Sequence, residues 1–519
     1  MMSDFTNTNV QKENYAWTVV AVAALAVALL IRLYAVFQNY PIVYPDELNV
    51  AEPAIHYAQH GYMASPSLAE QLPLSHSSYK ETPFGYFPVF TWVICAAQVF
   101  FPDAMEVRRG VDLLVGVLMS FLLFRLLRKR AAPCVAWAGC SIFVLHPAIW
   151  WSAPCRPDPL SACFGMAAAL CVMGTRTGGL SNRNFFAAGF LLGLSAITHP
   201  FGGIMWSCFV SAEILFSHRH IPLHKTFGLC FAGGCLGLSA IAFRILPDTA
   251  VWIESFNQVL KIKQSLNKDM FAWLSRFVVL LFGGNVVVSF FGLFMFWKIR
   301  KSGERIPAES IRWLALICAM AFFHGLVVEY KNTCSFPHFW AVFLLAIATM
   351  VNSANITFRI PEMAPRLAAV LLFSAALGGW VLFPALPQLF SVNHRKQREK
   401  VCHMLSQHIL PQEKTLSSNS IFLDVPSSEK TVLWWHENLD VRRFKWIVMN
   451  CKNDPNLSTD KADQFVEMPT RAQAHVIEQN FKLVASTPAP QVKPFLFQRS
   501  GNTFTWTAYL YRNNTTSDK

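Results

Sequence analysis

The sequence predicts a mainly α-helical, polytopic membrane protein, a bundle of about eleven transmembrane helices followed by a small α/β domain outside the bilayer. Three observations carry that reading. Of 519 residues, 53% are hydrophobic and only 14% are charged, with a mean hydropathy of +0.34. Apolar runs of bilayer-spanning length recur from residue 17 to about residue 387. Beyond residue 391 the apolar runs shorten to strand length.

The first run, Trp17 to Phe37, lacks a small-residue cleavage site and leads straight into an acidic loop, so it reads as a retained helix and not as a removed signal peptide. Further spans are expected over 109–128, 133–151, 159–174, 185–198, 201–216, 226–246, 275–298, 311–330, 338–352 and 366–387. The stretch Phe84 to Phe101 is ambiguous. If it crossed, the basic cluster Arg125-Leu126-Leu127-Arg128-Lys129-Arg130 would lie outside. Taken as a surface or re-entrant helix, it leaves that cluster, Arg176, Arg183 and the run Lys298 to Arg305 in the cytoplasm, as the positive-inside rule requires. The N-terminus is then cytoplasmic and the C-terminus outside. The outer segments are 38–108, which holds surface helices, 152–158, 247–274, 331–337 and the tail from about 388. Loop 247–274, with Trp252, Phe256, Leu260, Lys261, Lys263 and Lys268, reads equally as an interfacial amphipathic helix or a solvated loop.

Two domains are expected, a transmembrane catalytic domain over 1–390 and an outer α/β domain over 391–519. In the second, strands are predicted at Ser420 to Val425, Phe444 to Met449 and Phe504 to Tyr511, with a helix from Thr470 to Phe481. The net charge of +13 gathers at the ends of apolar runs, which points to membrane lipids as partners and not to nucleic acid. The 13 cysteines lie mostly inside apolar runs, where they act as small hydrophobes. Cys402 and Cys451, in the tail, either pair or remain free thiols.

The chemistry begins at Asp46-Glu47, which opens an amphipathic segment running to Tyr57. Carboxylates beside a bilayer are costly to desolvate, and one facing water there could take a proton from an incoming hydroxyl. Asp46 is the candidate base, with helix N-capping as its structural alternative. Glu47 either steadies the loop and binds substrate hydroxyls or is simply solvated. Asp158, followed by Pro159, is a site residue or an N-cap.

These residues carry a resemblance. Asp46-Glu47 with Ala51-Glu52, Ala54 and Gly61 resembles the first outer loop of the GT-C integral membrane glycosyltransferases, nearest the lipid A aminoarabinose transferases and protein O-mannosyltransferases. Tyr79-Lys80-Glu81-Thr82-Pro83-Phe84-Gly85-Tyr86 is similar to the family's acidic/basic/proline segment, with Thr82 where a basic residue is common and Lys80 ahead of the acid. Arg109 followed by Gly116 resembles the start of the next spanning helix, and Arg156-Pro157-Asp158-Pro159-Leu160 the second acidic motif.

The resemblance implies inverting transfer of a sugar from a polyprenyl-phosphate donor to a lipid, glycan or protein acceptor on the extracytoplasmic face of a bacterial inner membrane or, alternatively, of the endoplasmic reticulum membrane. It makes Asp46 the catalytic carboxylate, joined by Glu47 and Asp158, and it draws Tyr79, Lys80, Glu81, Arg109 and Arg156 into substrate binding; Arg244 and Lys331 join them from their places near outer helix ends. The departing phosphate needs cations. Arg156 pairs with Asp158 or receives that phosphate. Arg109, His199, Arg244, Arg276 and Lys331, near outer helix ends, either stabilise it or snorkel to the interface. The cofactor is unknown. Asp46 and Glu81 with His56 or His76 are donors a divalent metal ion would accept if they converged. Two rivals remain: a polysaccharide polymerase or ligase using lipid-pyrophosphate glycans, and a transporter, for which Glu213 and His324 are the chief ionisable residues inside apolar runs.

Overall fold

The computed structural model describes residues 22–39, 45–62, 88–101, 105–145, 155–173, 181–217, 222–245, 305–327, 336–358, 393–418, 439–449, 471–487 and 508–514, with shorter pieces between them. The described helices of the first part are α1 (Val22–Phe37), α2 (Pro45–His60), α3 (Pro88–Phe100), α4 (Met105–Arg128), α5 (Pro133–Leu145), α6 (Pro157–Val172), α7 (Asn182–Thr198), α8 (Pro200–Ser217), α9 (Leu223–Ile245), α10 (Ala308–Val327) and α11 (Phe336–Phe358). Helices α2, α3, α5, α6 and α8 open on proline, whose fixed φ suits the first turn and whose missing N–H is not needed there.

Among the described residues, α4 alone is long and apolar enough to cross a membrane by length and composition. Its 24 residues span about 36 Å at 1.5 Å per residue. One stripe, Leu114, Val117, Leu118 and Phe121, is exposed, whereas Val115, Met119, Leu123 and Leu126 are buried. An apolar stripe turned outward at helical spacing is what a helix shows to lipid. The ambiguous stretch forms α3, 13 residues long and so about 20 Å, shorter than the ~30 Å hydrocarbon core. The expected spans 275–298 and 366–387 lie largely outside the described residues.

Phe143 of α5, Met166 of α6, Trp206 and Phe209 of α8, Trp313 of α10 and Trp340 of α11 share one hydrophobic core with the inner face of α4. Helices α7 and α9 approach more closely still: a β-carbon on Gly189 would collide with the backbone of Cys230, so only a bare backbone fits. At one end of the bundle Glu213 accepts from Trp313 Nε1 (3.1 Å) and pairs with Arg130 (3.3 Å), which also reaches Glu309 (3.5 Å). Glu213, the transporter reading's main candidate, is therefore tied into a clasp with the Arg125–Arg130 cluster. The first turns of α4, α6, α8 and α11 lie at the other end.

The described residues of the C-terminal part form α12 (His394–His408), α13 (Arg471–Asn480) and five strands, β1 (Thr415–Ser417), β2 (Thr431–Leu433), β3 (Trp446–Met449), β4 (Phe481–Thr487) and β5 (Ala508–Asn513). They form one mixed sheet in the order β2-β1-β3-β5-β4. β1 runs parallel to β2 and β3, and β5 antiparallel to β3 and β4. The strand expected at Ser420 to Val425 is not formed. Ile421 and Phe422 donate their N–H groups back to the Ser418 carbonyl, closing a 3-10 turn over Phe422–Asp424, and the ladder runs through β1 instead. Cys402 is a free thiol, which burial pushes up to about 12; Cys451 lies outside the described residues.

The sheet does not stand apart from the bundle. Leu48 of α2 and Met105 of α4 are buried in the same cluster as Val401 and Leu405 of α12, Trp446 and Val448 of β3 and Leu510 of β5. Arg398 of α12 pairs with Asp424 (2.8 Å).

Candidate functional site

Helix α2 begins at Pro45, so Asp46 is its second residue and not the cap that precedes it. Its side chain falls outside the described residues. The next residue, Glu47, is fully buried, which overturns the solvated alternative. Its carboxylate accepts from Arg109 Nε (3.2 Å) and Nη2 (3.0 Å), the two-pronged geometry a guanidinium offers a carboxylate. Glu47 and Arg109, read separately from sequence, thus hold one another and fasten α2 to the first turn of α4.

One turn along α4, Asp112 accepts from Arg32 of α1 (2.6 Å). Gly116 explains its own place four residues on: a β-carbon there would run into Arg32 Nη1. Arg108 is also buried, and its Nε and Nη1 meet no acceptor.

The second cluster is built where α6 begins. Cys155 takes a left-handed φ of 58°, a conformation costly outside glycine and typical of sites where the chain must be re-aimed. It delivers Arg156 and then Pro157 at the first helical position. Asp158 therefore lies inside the first turn, and its N-cap alternative is overturned, since Arg156 occupies the cap. Arg156 Nε donates to Asp158 Oδ2 (3.0 Å), the pairing read from sequence as one of two roles for this arginine.

Next to it, Ser161 and Ser195 exchange hydrogen bonds, each hydroxyl donating to the other's carbonyl (3.0 and 2.9 Å). This polar clasp sets the register of α6 against α7. Asp158, one turn before Ser161, consequently meets His199, just past the end of α7, with Nε2 at 3.5 Å from Oδ1. His338 of α11 completes the group, and one donor atom from each of Asp158, His199 and His338 lies within 4.8 Å of the others.

Such a set invites a metal ion, and His338 tests the fit. Trp206 Nε1 donates to His338 Nδ1 (3.0 Å). Indole is only a donor, so Nδ1 spends its lone pair on it and the neutral ring carries its proton on Nε2. Neither nitrogen then offers a lone pair to a cation. The three residues form an acid–histidine cluster that, with His338 held in this way, does not fit a three-ligand metal centre.

The other expected residues are placed as follows. Tyr79, Lys80, Glu81, His76, Arg276 and Lys331 lie outside the described residues, and Arg244 sits in the last turn of α9 with its side chain undescribed. His56 follows Asp46 by ten positions on one helix, about 15 Å along the axis, so these two cannot share an ion. Its Nδ1 faces the Tyr62 carbonyl (3.0 Å). Glu52, on the same helix, is buried and receives Ser67 N–H (2.9 Å) and Oγ–H (2.6 Å). Burial dominates and pushes its carboxyl up to about 7, against the pull of those bonds. Sequence reasoning missed Arg32, Arg108, Asp112, Trp206 and His338. For Arg32 and Asp112 the signal existed, a charge inside an apolar run; for His338 nothing local marks it.

No protein-family model matches the chain, and no curated protein matches it. Solved structures do. ArnT from Cupriavidus metallidurans bound to undecaprenyl phosphate superposes with a TM-score of 0.58 at 11% identity, over 96% of this chain and 99% of that one. ArnT from the same organism in the apo state gives 0.52 at 14% identity, over 81% and 85%. The oligosaccharyltransferase AglB from Archaeoglobus fulgidus, in complex with an inhibitory peptide and a dolichol-phosphate, gives 0.46 at 12% identity, over 80% and 64%. The chain has the fold of ArnT, a lipid A aminoarabinose transferase of the GT-C superfamily, and the resemblance read from its outer-loop motifs holds at the level of fold.

Proposed function

We propose that this protein is a polytopic GT-C-type glycosyltransferase that moves a sugar from a polyprenyl-phosphate donor to a lipid, glycan or protein acceptor on the outer face of a bacterial inner membrane. The observation that carries the reading is the gathering of acid and base groups at a single end of an ArnT-like bundle. Glu47–Arg109, Arg156–Asp158 and His199 all belong to the first turns of α2, α4 and α6 or to the residue closing α7. Asp46 opens α2 beside Glu47 and acts as the base that accepts the acceptor's hydroxyl proton during inverting attack at the anomeric carbon. Asp158, gripped by Arg156, orients the acceptor. The remaining cations at this end balance charge on the departing phosphate. The 1–390 bundle carries the chemistry, and the tail from 391 covers it.

The test is transfer by the purified protein in lipid nanodiscs, with radiolabelled polyprenyl-phosphate sugars supplied one at a time. Asp46→Asn is expected to abolish transfer, a loss of about 10²–10⁴-fold for a positioned base, while the protein stays folded. A fully active Asp46→Asn enzyme would remove the central claim. Competition between monophosphate and pyrophosphate lipids separates this reading from a polymerase or ligase.

A further inference from the structure

Arg108 is a buried guanidinium whose neighbours are already committed to one another. The charged groups around it are Glu47, Arg109 and Arg398, with Asp424 close by. Glu47 is held by Arg109 (3.0 Å). Asp424 is held by Arg398 (2.8 Å), and Asp112, one turn along α4, by Arg32 (2.6 Å). Glu106 accepts from Asn39 (3.0 Å). Each described carboxylate near it thus has its own donor, and among the described residues Arg108 makes no ion pair. Its exposure is only 2%, and its Nε and Nη1 are buried without an acceptor, as is Nη1 of Arg109.

An isolated buried cation is among the most costly groups a fold can carry, and arginine cannot escape by losing its proton. A site of this kind is stable when an anion arrives to close it. We propose that Arg108 is the receptor for a phosphate group bound where α4 meets the C-terminal domain. The guanidinium fork matches two phosphate oxygens at once. The spare N–H of Arg109 and the field of Arg398 favour a dianion over a carboxylate. Cys155, a buried thiol, also lies near the guanidinium. The phosphate comes either from the polyprenyl carrier, which rests on the function proposed above, or from an anionic phospholipid headgroup, which does not.

Wild type, Arg108→Met and Arg108→Lys would be placed in phosphatidylcholine nanodiscs and titrated separately with polyprenyl monophosphate, phosphatidylglycerol and inorganic phosphate. The readouts are the thermal unfolding midpoint and direct binding. A ligand that binds only the folded state raises the midpoint. The expectation is that polyprenyl monophosphate does so for wild type and that Arg108→Met weakens binding at least tenfold. Without ligand, Arg108→Met should melt no lower than wild type, because it removes a charge that had no partner. A purely structural arginine would give the opposite, a lower midpoint. Arg108→Lys, which keeps the charge and loses the fork, should bind at an intermediate level, and it decides the matter if the methionine variant does not fold.

A shift produced only by phosphatidylglycerol, and lost in Arg108→Met, supports the site and assigns it to a headgroup. Equal shifts in wild type and variants, or no shift in wild type with any probe, overturn the proposal. Sugar transfer measured on the same samples keeps the two readings apart. Wild type that binds phosphate through Arg108 but transfers no sugar sinks the proposed function alone. Transfer with unchanged kcat and KM in Arg108→Met excludes the polyprenyl carrier as the source of the phosphate, and together with no phosphatidylglycerol shift in wild type it sinks the phosphate site alone.

Discussion

Replacing Glu47 by glutamine should be among the most damaging single changes in this protein, although it alters one atom. Glu47 is fully buried and Arg109 almost so, and they meet through bonds of 3.2 and 3.0 Å. Glutamine keeps the shape and removes the charge, leaving the Arg109 guanidinium in the interior with no counter-ion. Breaking a buried pair in this way costs about 3–5 kcal/mol, mostly the penalty of the stranded charge and not the worth of the pair. Removing both charges together, as Glu47→Leu with Arg109→Met, should cost far less or even stabilise. The assay is equilibrium unfolding in mild detergent, followed by tryptophan fluorescence on both single variants and the double variant, so that the cycle isolates the coupling. A Glu47→Gln protein within about 0.5 kcal/mol of wild type, or a double variant as unstable as the two singles added, would refute the reasoning.

Other expectations follow from the same geometry. Gly116→Ala pushes a methyl into Arg32 Nη1 and should cost about 1–3 kcal/mol, as overpacking does; an unchanged midpoint would mean Arg32 has another place to go. The Glu52 carboxyl is raised from 4.5 to about 7 by burial, so its contribution to stability is complete below pH 4.5 and is lost as pH rises through 7, roughly 3 kcal/mol in all. Melting curves from pH 4 to 9 should show that loss in wild type and not in Glu52→Gln, whose neutral amide keeps both Ser67 contacts; parallel curves would exclude it. Ser161→Ala with Ser195→Ala deletes the clasp between α6 and α7 and should cost about 0.6–2 kcal/mol, the range for hydrogen bonds between membrane helices. It should also lower transfer, because Asp158 and His199 take their spacing from it, and loss of stability without loss of rate would contradict that link.

Much of the bundle was legible because a helix in or beside lipid must be apolar over a long run, and that pattern is local. The helix expected from Thr470 to Phe481 forms from Arg471 to Asn480, where the local signal is helical spacing of a few apolar residues. The strand misplaced at Ser420 to Val425 shows the limit, since a short, mostly apolar stretch fits a buried turn as well as a strand. The site divides similarly. Arg156 and Asp158 are two positions apart, so their pairing could be weighed from the sequence. Glu47 and Arg109 are separated by 62 positions, Arg32 and Asp112 by 80, and Trp206 and His338 by 132. No local pattern encodes who meets whom at such distances. The resemblance to GT-C loops named Arg109 as important but could not say that Glu47 would occupy it.

The shared cluster of Leu48 and Met105 with Val401, Trp446 and Leu510 has a consequence for how the protein is made. Helix α2 leaves the ribosome roughly 460 residues ahead of its last packing partner, a delay of roughly 20–90 s at ordinary elongation rates. Throughout that interval the nascent chain holds its acid-bearing helix without the apolar surface that seats it. A chain terminated before the sheet would therefore be born with an unseated α2, and the membrane half alone should be a substrate for quality-control proteases and not a smaller enzyme.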